Sequence, residues 1–493
     1  MFLALARARE LRRYHQVAVR AIVVASLGTS LAGAQTTAPS SASFSAPHQR
    51  LLNDVYRELV EINTADSTGN TTLAAQAMAK RFLDAGFPAA DVQLFLPRAD
   101  KGNLVVRYRG RPGGTSQRKP LLLLAHLDVV QALKSDWSPD LDPFKLTERD
   151  GYFYGRGTSD DKAMAASFVA NLLRMKSEGY VPDRDIVLAL TTDEEGGPVN
   201  GVRWLIREQR SQIDAAYAIN EGGGGALKDG KPFYHSVQAT EKVSANFQVT
   251  ARNRGGHSSV PRPDNAIYQL AEALTKIGKY TFPVELNEIT RPFFERTASI
   301  ESPEMAAAMR AIVKNPADDA AAAIISRQPR FNSMLRTTCV ATRLTGGHAN
   351  NALPQTATAT VNCRMVPNRS PEDVRQALLR AADDTGITIS PAPALSPSSP
   401  SPLNPELMVP VERLTRQMFG DIPVIPTMST GATDGRFLRS AGIPTYGVSG
   451  IFSDPNDSRA HGRDERLLVK SLFDGQEFLY RLVKELTGSR PVS

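Results

Sequence analysis

The stretch Leu121–Val130, LLLLAHLDVV, constrains this chain more than any other. A short, unbroken apolar run reads as a strand buried on both faces, which calls for a parallel sheet covered by helices. The run stops at His126-Leu127-Asp128. Ligands of open α/β sheets sit beyond the carboxyl ends of the strands, and residues two apart on an extended chain project to the same side. The pair reads in two ways: as a metal ligand with a supporting carboxylate, or as a buried histidine bonded to a neighbouring acid.

A chain of 493 residues is too long for one small core, so two or three domains are expected. Hydrophobic content of 41% and charged content of 22% are those of a soluble globular protein. The net charge of +7 is uneven, because residues 1–34 hold Arg7, Arg9, Arg12, Arg13 and Arg20 against Glu10. The small excess left elsewhere gives no ground for a nucleic-acid partner. An arginine-rich start, the apolar stretch Ala21–Leu31 and Ala32-Gly33-Ala34 read as an export signal over 1–34. The apolar stretch is too short for a lasting membrane span, so a soluble periplasmic or secreted protein is expected after cleavage. A tether rich in Ser, Thr, Ala and Pro follows over 35–48. Cys339 and Cys363 lie in strand-like stretches, and read either as a disulfide or as free buried thiols.

The remaining pattern divides into a catalytic domain over 49–241 and 405–493 and an inserted domain over 242–392. In the first part, amphipathic helices are expected near 50–63 and 71–85, strands at 92–96, 103–108 and 121–125, and a helix at 161–178. Ile186–Thr191 reads as a second buried strand, followed by Asp193-Glu194-Glu195-Gly196-Gly197. A short strand at 215–219 runs into Asn220-Glu221 and four glycines. The inserted part alternates: strands at 243–251, 336–344, 356–365 and 387–390, with helices near 265–277 and 370–384, make an α+β unit. Residues 281–334 read as irregular apart from an alanine-rich helix near 304–313. The tail returns to the first domain and carries Ala460-His461-Gly462 before a last helix.

His126, Asp160, Glu195, Glu221 and His461 all fall in loops beyond expected strands of one domain. Right-handed crossovers bring such strand ends to one edge of a sheet. Two histidines and three carboxylates suit zinc, with cobalt or manganese as substitutes. Two divalent cations would balance the three carboxylates and a bridging hydroxide, and without metal those acids would repel one another. Glu194, beside a ligand, is placed to take a proton from a metal-acidified water. Asp128 would orient His126.

The ordered set His126-Leu127-Asp128, GRGTSDDK with Asp160, Asp193-Glu194-Glu195-Gly196-Gly197, Asn220-Glu221-Gly222, and His461 before Asp464-Glu465-Arg466 resembles the M20 family of metallopeptidases. That family includes aminoacylases, glutamate carboxypeptidases and succinyl-diaminopimelate desuccinylases. The resemblance implies a mixed, mostly parallel sheet flanked by helices, with an inserted ferredoxin-like lid or dimerisation domain. It implies two zinc ions bridged by Asp160, with His126 and Glu221 on one, Glu195 and His461 on the other, and Glu194 as base. Gly255-Gly256-His257-Ser258 resembles the family's histidine loop, whose His polarises the scissile carbonyl, often from the partner of a homodimer. Asn351 and Arg364 resemble lid positions that hold substrate, and an arginine fork suits a carboxylate.

The resulting expectation is an exported two-zinc hydrolase of small peptides or N-acyl amino acids. Export favours a dipeptidase or carboxypeptidase over an aminoacylase. A non-catalytic binding relative would not need Glu194. A two-metal phosphatase or nuclease would call for a basic cleft that the sequence does not signal.

Overall fold

The computed structural model describes residues 46–111, 118–392 and 398–488. The expected signal over 1–34 and most of the tether lie outside them. The first helix, Pro47–Glu61, starts just inside the expected tether, with Pro47 at its first position.

Among the described residues a ten-stranded mixed sheet runs through the larger part of the molecule. Its centre is parallel. Leu121–His126 lies between Ile186–Thr191 and Tyr217–Asn220, and Thr445–Gly447 pairs beyond the latter. The first two strands are buried at every position. The buried leucines split between two cores, since Leu121 and Leu123 face one side of the sheet and Leu122 and Leu124 the other. Each fully buried leucine contributes about 1.5–3 kcal/mol, which is why both faces need helical cover. Lys162–Ser177, almost wholly buried, covers the first face; Gly201–Glu208 covers the second. The register sets His126 opposite Thr191, so both strands release their chains at the same edge.

A separate four-stranded antiparallel sheet lies between the two halves in sequence. Its order is Thr338–Gly346, Thr356–Met365, Val243–Arg252, Ile387–Pro391. With helices Ala266–Lys279 and Pro371–Ala382 packed on one face, this is the ferredoxin-like βαββαβ arrangement. Cys339 and Cys363, register partners across two of its strands, form a disulfide.

Two expectations fail. Residues 281–334 are not irregular. They fold into helices Thr290–Thr297, Pro303–Lys314, Asp319–Ser326 and Pro329–Leu335, whose apolar faces form a core of their own with Ile425 and Met428. Of these, Pro303–Lys314 is the expected alanine-rich helix; the other three are too short for apolar periodicity to show. The eleven-residue strand Lys231–Glu241 was not expected at all. Its buried residues include His235, Gln238, Thr240 and Glu241, so the apolar alternation that betrays a strand is missing.

His235 is held by packing rather than charge. Its Nδ1 meets Thr415 Oγ1 at 2.8 Å, and its ring lies 5.0 Å from Phe478 and 5.4 Å from Phe452. Burial pulls its pKa from 6.5 down to about 3. The unfolded chain therefore binds a proton below 6.5 that the folded chain refuses. This contribution to stability is whole above pH 6.5 and is lost on acidification toward pH 3, at up to about 1.4 kcal/mol per pH unit. His235→Gln should flatten the acid side of the stability–pH curve relative to wild type in chemical denaturation.

Candidate metal centre

The three central strands deliver three of the side chains in question. His126 ends its strand, Glu195 follows Ile186–Thr191 by four residues and Glu221 follows Tyr217–Asn220 directly. Asp160 comes from the loop before helix Lys162–Ser177, and its peptide bond to Asp161 is cis. His461 comes from the loop before the strand Arg466–Leu468, in a left-handed backbone conformation at φ 63°.

The five converge in two groups that share Asp160. His126 Nε2 lies 3.1 Å from Asp160 Oδ1 and 4.0 Å from Glu221 Oε1. His461 Nε2 lies 3.0 Å from Asp160 Oδ2 and 2.8 Å from Glu195 Oε1. Each oxygen of Asp160 thus faces a different imidazole. His126 Nδ1 stands 2.9 Å from the carbonyl of Asp128. A carbonyl only accepts, so Nδ1 carries the hydrogen, and a neutral His126 turns the lone pair of Nε2 onto carboxylate oxygens. Such an arrangement is repulsive unless a proton or a cation lies between. Among the described residues no lysine or arginine bonds to Asp160, Glu195 or Glu221 to supply that charge. The donor set and the tautomer fit divalent cations.

The titration behaviour says the same. Burial opposes charge on His126, yet its hydrogen bond to Asp160 and the charges of Glu221 and Asp128 hold its pKa well above the ordinary value. Hydrogen bonds to Asp160 and Glu195 push His461 up to about 10. Burial pushes Glu221 well up, and Asp160 adds to this. Glu194 is pushed up to about 9, by burial first and then by Asp434, Glu195 and Asp128 against the attraction of His126.

Asp128 does something other than expected. Its carboxylate lies 3.8 Å from His126 Nδ1, and the backbone carbonyl takes that hydrogen instead. The carboxylate accepts from the amides of Glu194 at 3.2 Å and Glu195 at 3.0 Å. Two amide donors satisfy an anion better than one shared imidazole, so Asp128 fixes the Asp193–Gly197 loop. The same loop is pinned from the other side by Lys101, whose Nζ lies 2.7 Å from the fully buried carboxylate of Asp193.

The sequence reading gave no role to Glu465, Asp434 or Arg436. Glu465 is fully buried. It accepts from the amides of Gly157, Ser159 and Asp160 at 3.0, 2.8 and 3.2 Å, and pairs with Arg156 at 2.7 Å. It holds the Asp160 loop as Asp128 holds the Glu195 loop. The signal, an acid four residues after His461, is visible only once the fold joins the two segments. Asp434, pushed up to about 7 by burial, accepts from Asn200 Nδ2 at 2.6 Å and adds negative charge beside Glu194. Arg436, on the same turn, lies over the Phe437 ring with its Nε buried and unpaired.

The other expected site residues lie in the inserted part of the chain, His257 and Asn351 at a separate two-stranded ladder and Arg364 in the four-stranded sheet. His257 pairs with Ala352 in a two-stranded ladder, and Asn351 accepts there from the amide of Ser258. The His257 ring is exposed and meets Ser259 Oγ at 2.7 Å. Arg364 lies opposite Ser244 and Thr338. Among the described residues none of the three bonds to the five converging side chains. His235 sits in its aromatic pocket and His348 in an exposed bend, and neither is in the two groups.

Peptidase family M20/M25/M40 matches residues 122–485. The chain belongs to this family. It is a hydrolase of the M20 metallopeptidase and amidohydrolase group. Similar M20 relatives include the human N-fatty-acyl-amino acid synthase/hydrolase PM20D1, 28% identical over 77% of each chain. The probable carboxypeptidase S-like 2 of Dictyostelium discoideum is 29% identical over 82% of this chain and 78% of its own. An M20 family metallo-carboxypeptidase from Sulfolobus solfataricus shares the fold with a TM-score of 0.61 at 18% identity, over 88% of this chain and 99% of its own.

Removing the Glu465 carboxylate strands Arg156, which is 3% exposed, and frees three amides. Glu465→Ala should lower stability by about 3–5 kcal/mol and weaken metal uptake, read together by thermal denaturation and metal titration.

Proposed function

We propose that this M20 hydrolase is an exported enzyme that uses two zinc ions to cleave an amide bond in small peptides or N-acyl amino acids. The observation that carries this reading is Asp160, whose two oxygens each face an imidazole with a further carboxylate alongside. Asp160 would bridge the two ions, His126 and Glu221 would complete one, and Glu195 and His461 the other. Bound cations of this kind polarise a carbonyl and make water acidic.

The chain supplies the rest. Glu194 stands on the loop fixed by Asp128 and Lys101; burial and the neighbouring acids raise its pKa, and two divalent cations beside it would restore the carboxylate that a base requires. It takes the proton of the attacking water and returns it to the leaving amine nitrogen. A cavity of about 800 Å³ opens beside Asp160 and Glu221, with Met164, Leu227, Tyr234, Ile451 and Phe452 on its walls. Those walls suit an apolar acyl group or side chain. The names of the relatives, a fatty-acyl amino acid hydrolase and a carboxypeptidase, support the same pair of substrate classes.

The second sheet is the proposed lid and dimerisation unit. Its edge strand Thr338–Gly346 is exposed, with Val340 and Leu344 61% and 63% exposed, and such an edge invites a second copy. A homodimer is expected by light scattering, and Val340→Lys should shift it to monomer. Export rests on residues 1–34, and among the described residues no helix is long and apolar enough to cross a membrane.

Purified protein with zinc should hydrolyse members of a panel of dipeptides and N-acyl amino acids. Glu194→Ala should keep two equivalents of zinc by elemental analysis while kcat falls about 10²–10⁴-fold. Asp160→Ala should lose both metal and turnover. Wild type that binds no zinc and splits no amide would sink the proposal.

A further inference from the structure

The carboxyl of Glu194, the proposed base, has no side-chain partner. Among the described residues it makes no hydrogen bond and no ion pair, so its aim is set by the backbone that carries it. That backbone is fixed on both sides of the residue. On one side Asp128 takes the amides of Glu194 and Glu195, and so serves the base and an expected metal ligand alike. On the other side the hold passes through Asp193. Its φ of 58° is left-handed, a conformation that a non-glycine residue keeps only where its surroundings enforce it.

Those surroundings are unusually complete. The Asp193 carboxylate is wholly buried and meets Lys101 Nζ at 2.7 Å, Thr192 Oγ1 at 3.3 Å and the amide of Val199 at 3.0 Å. Gly197 folds over it so closely that a Cβ there would stand 2.5 Å away. The Asp193 carbonyl, in the peptide group joined to Glu194, accepts from Asn200 Nδ2 at 3.1 Å. Lys101 is 1% exposed and reaches a second acid, Asp66, at 2.6 Å. Asn200 caps helix Gly201–Glu208, its Oδ1 accepting from the amide of Arg203 at 2.9 Å. A buried cation on a strand and an amide on a helix cap thus hold the residue before Glu194 from two directions. Neither bonds to any of the five converging side chains.

We propose that Lys101 and Asn200 are positioning residues for proton transfer: acting through Asp193, they set the direction of the Glu194 carboxyl. This rests on the hydrolase reading above, with Glu194 as its base. Glu195 would be held by its metal as well as by the loop, whereas Glu194 depends on the loop alone. A group that moves a proton must be held to within about 0.5 Å, and a misplacement of about 1 Å costs about 10²-fold in rate.

The test uses the full-length zinc-loaded enzyme and an N-acyl amino acid or dipeptide that it cleaves. Lys101→Met should lower kcat by about 10- to 100-fold, with KM within about threefold of wild type and the zinc content unchanged. The deciding readout is the same substitution made beside Glu194→Ala. Without the base there is nothing left to aim, so Lys101→Met with Glu194→Ala should match Glu194→Ala alone within about twofold. Asn200→Ala, at a partly exposed position, should show the same pattern, and it carries the test if Lys101→Met does not fold. Losses of equal size with and without Glu194, loss of zinc, or a kcat for both variants within about twofold of wild type would overturn the proposal. A Glu194→Ala enzyme with full kcat removes the base itself, and the proposal falls with it. A slow Glu194→Ala with additive losses leaves the base standing and overturns only the positioning.

Discussion

The lone pair of His126 Nε2 points at acids. One hydrogen bond, Nδ1–H to the carbonyl of Asp128, fixes this. From it follows the need for positive charge between Nε2 and Asp160 Oδ1, which stand 3.1 Å apart, while the other oxygen of Asp160 faces His461. In bulk water such a cluster would cost little. Here Glu221 and Glu194 lie where burial already disfavours their charge, and the surrounding polypeptide has to hold the groups together against their own repulsion. The sheet does so. Three parallel strands ending side by side are stiff, and their burial on both faces leaves no freedom for the ends to spread.

The loops beyond the strands need separate restraint, and buried carboxylates supply it twice. Asp128 accepts the amides of Glu194 and Glu195, and Glu465 accepts those of Gly157, Ser159 and Asp160. In each case an anion that binds no metal in the proposed scheme orients a loop that carries one of the ligands. The acid clusters in this sequence are therefore of two kinds, and residue type alone does not separate them.

That distinction marks how far the sequence could be read. The leucine run, the apolar strand before Asp193-Glu194-Glu195 and the glycines after Glu221 are local patterns, and each placed its acid at a strand end before any fold was known. Handedness accounts for His126, Glu195 and Glu221, which three parallel strands deliver; Asp160 and His461 join them from loops outside those strands. Lys231–Glu241 was illegible because buried polar residues erase alternation, and the helices Thr290–Thr297, Asp319–Ser326 and Pro329–Leu335 because none is long enough to show a period. Glu465 was illegible because its partners lie some 300 residues back along the chain. His257, Asn351 and Arg364 were suggested only by resemblance, since nothing local in the sequence marks them.

The distance between Glu465 and the amides it holds also sets an order of assembly. The loop bearing Asp160 is made early, yet its anchor arrives 305 residues later, close behind His461. An unfinished chain holds at most His126, Asp160, Glu195 and Glu221, without the last imidazole and without the brace. The group of Asp160, Glu195 and His461 is thus complete only when the tail docks.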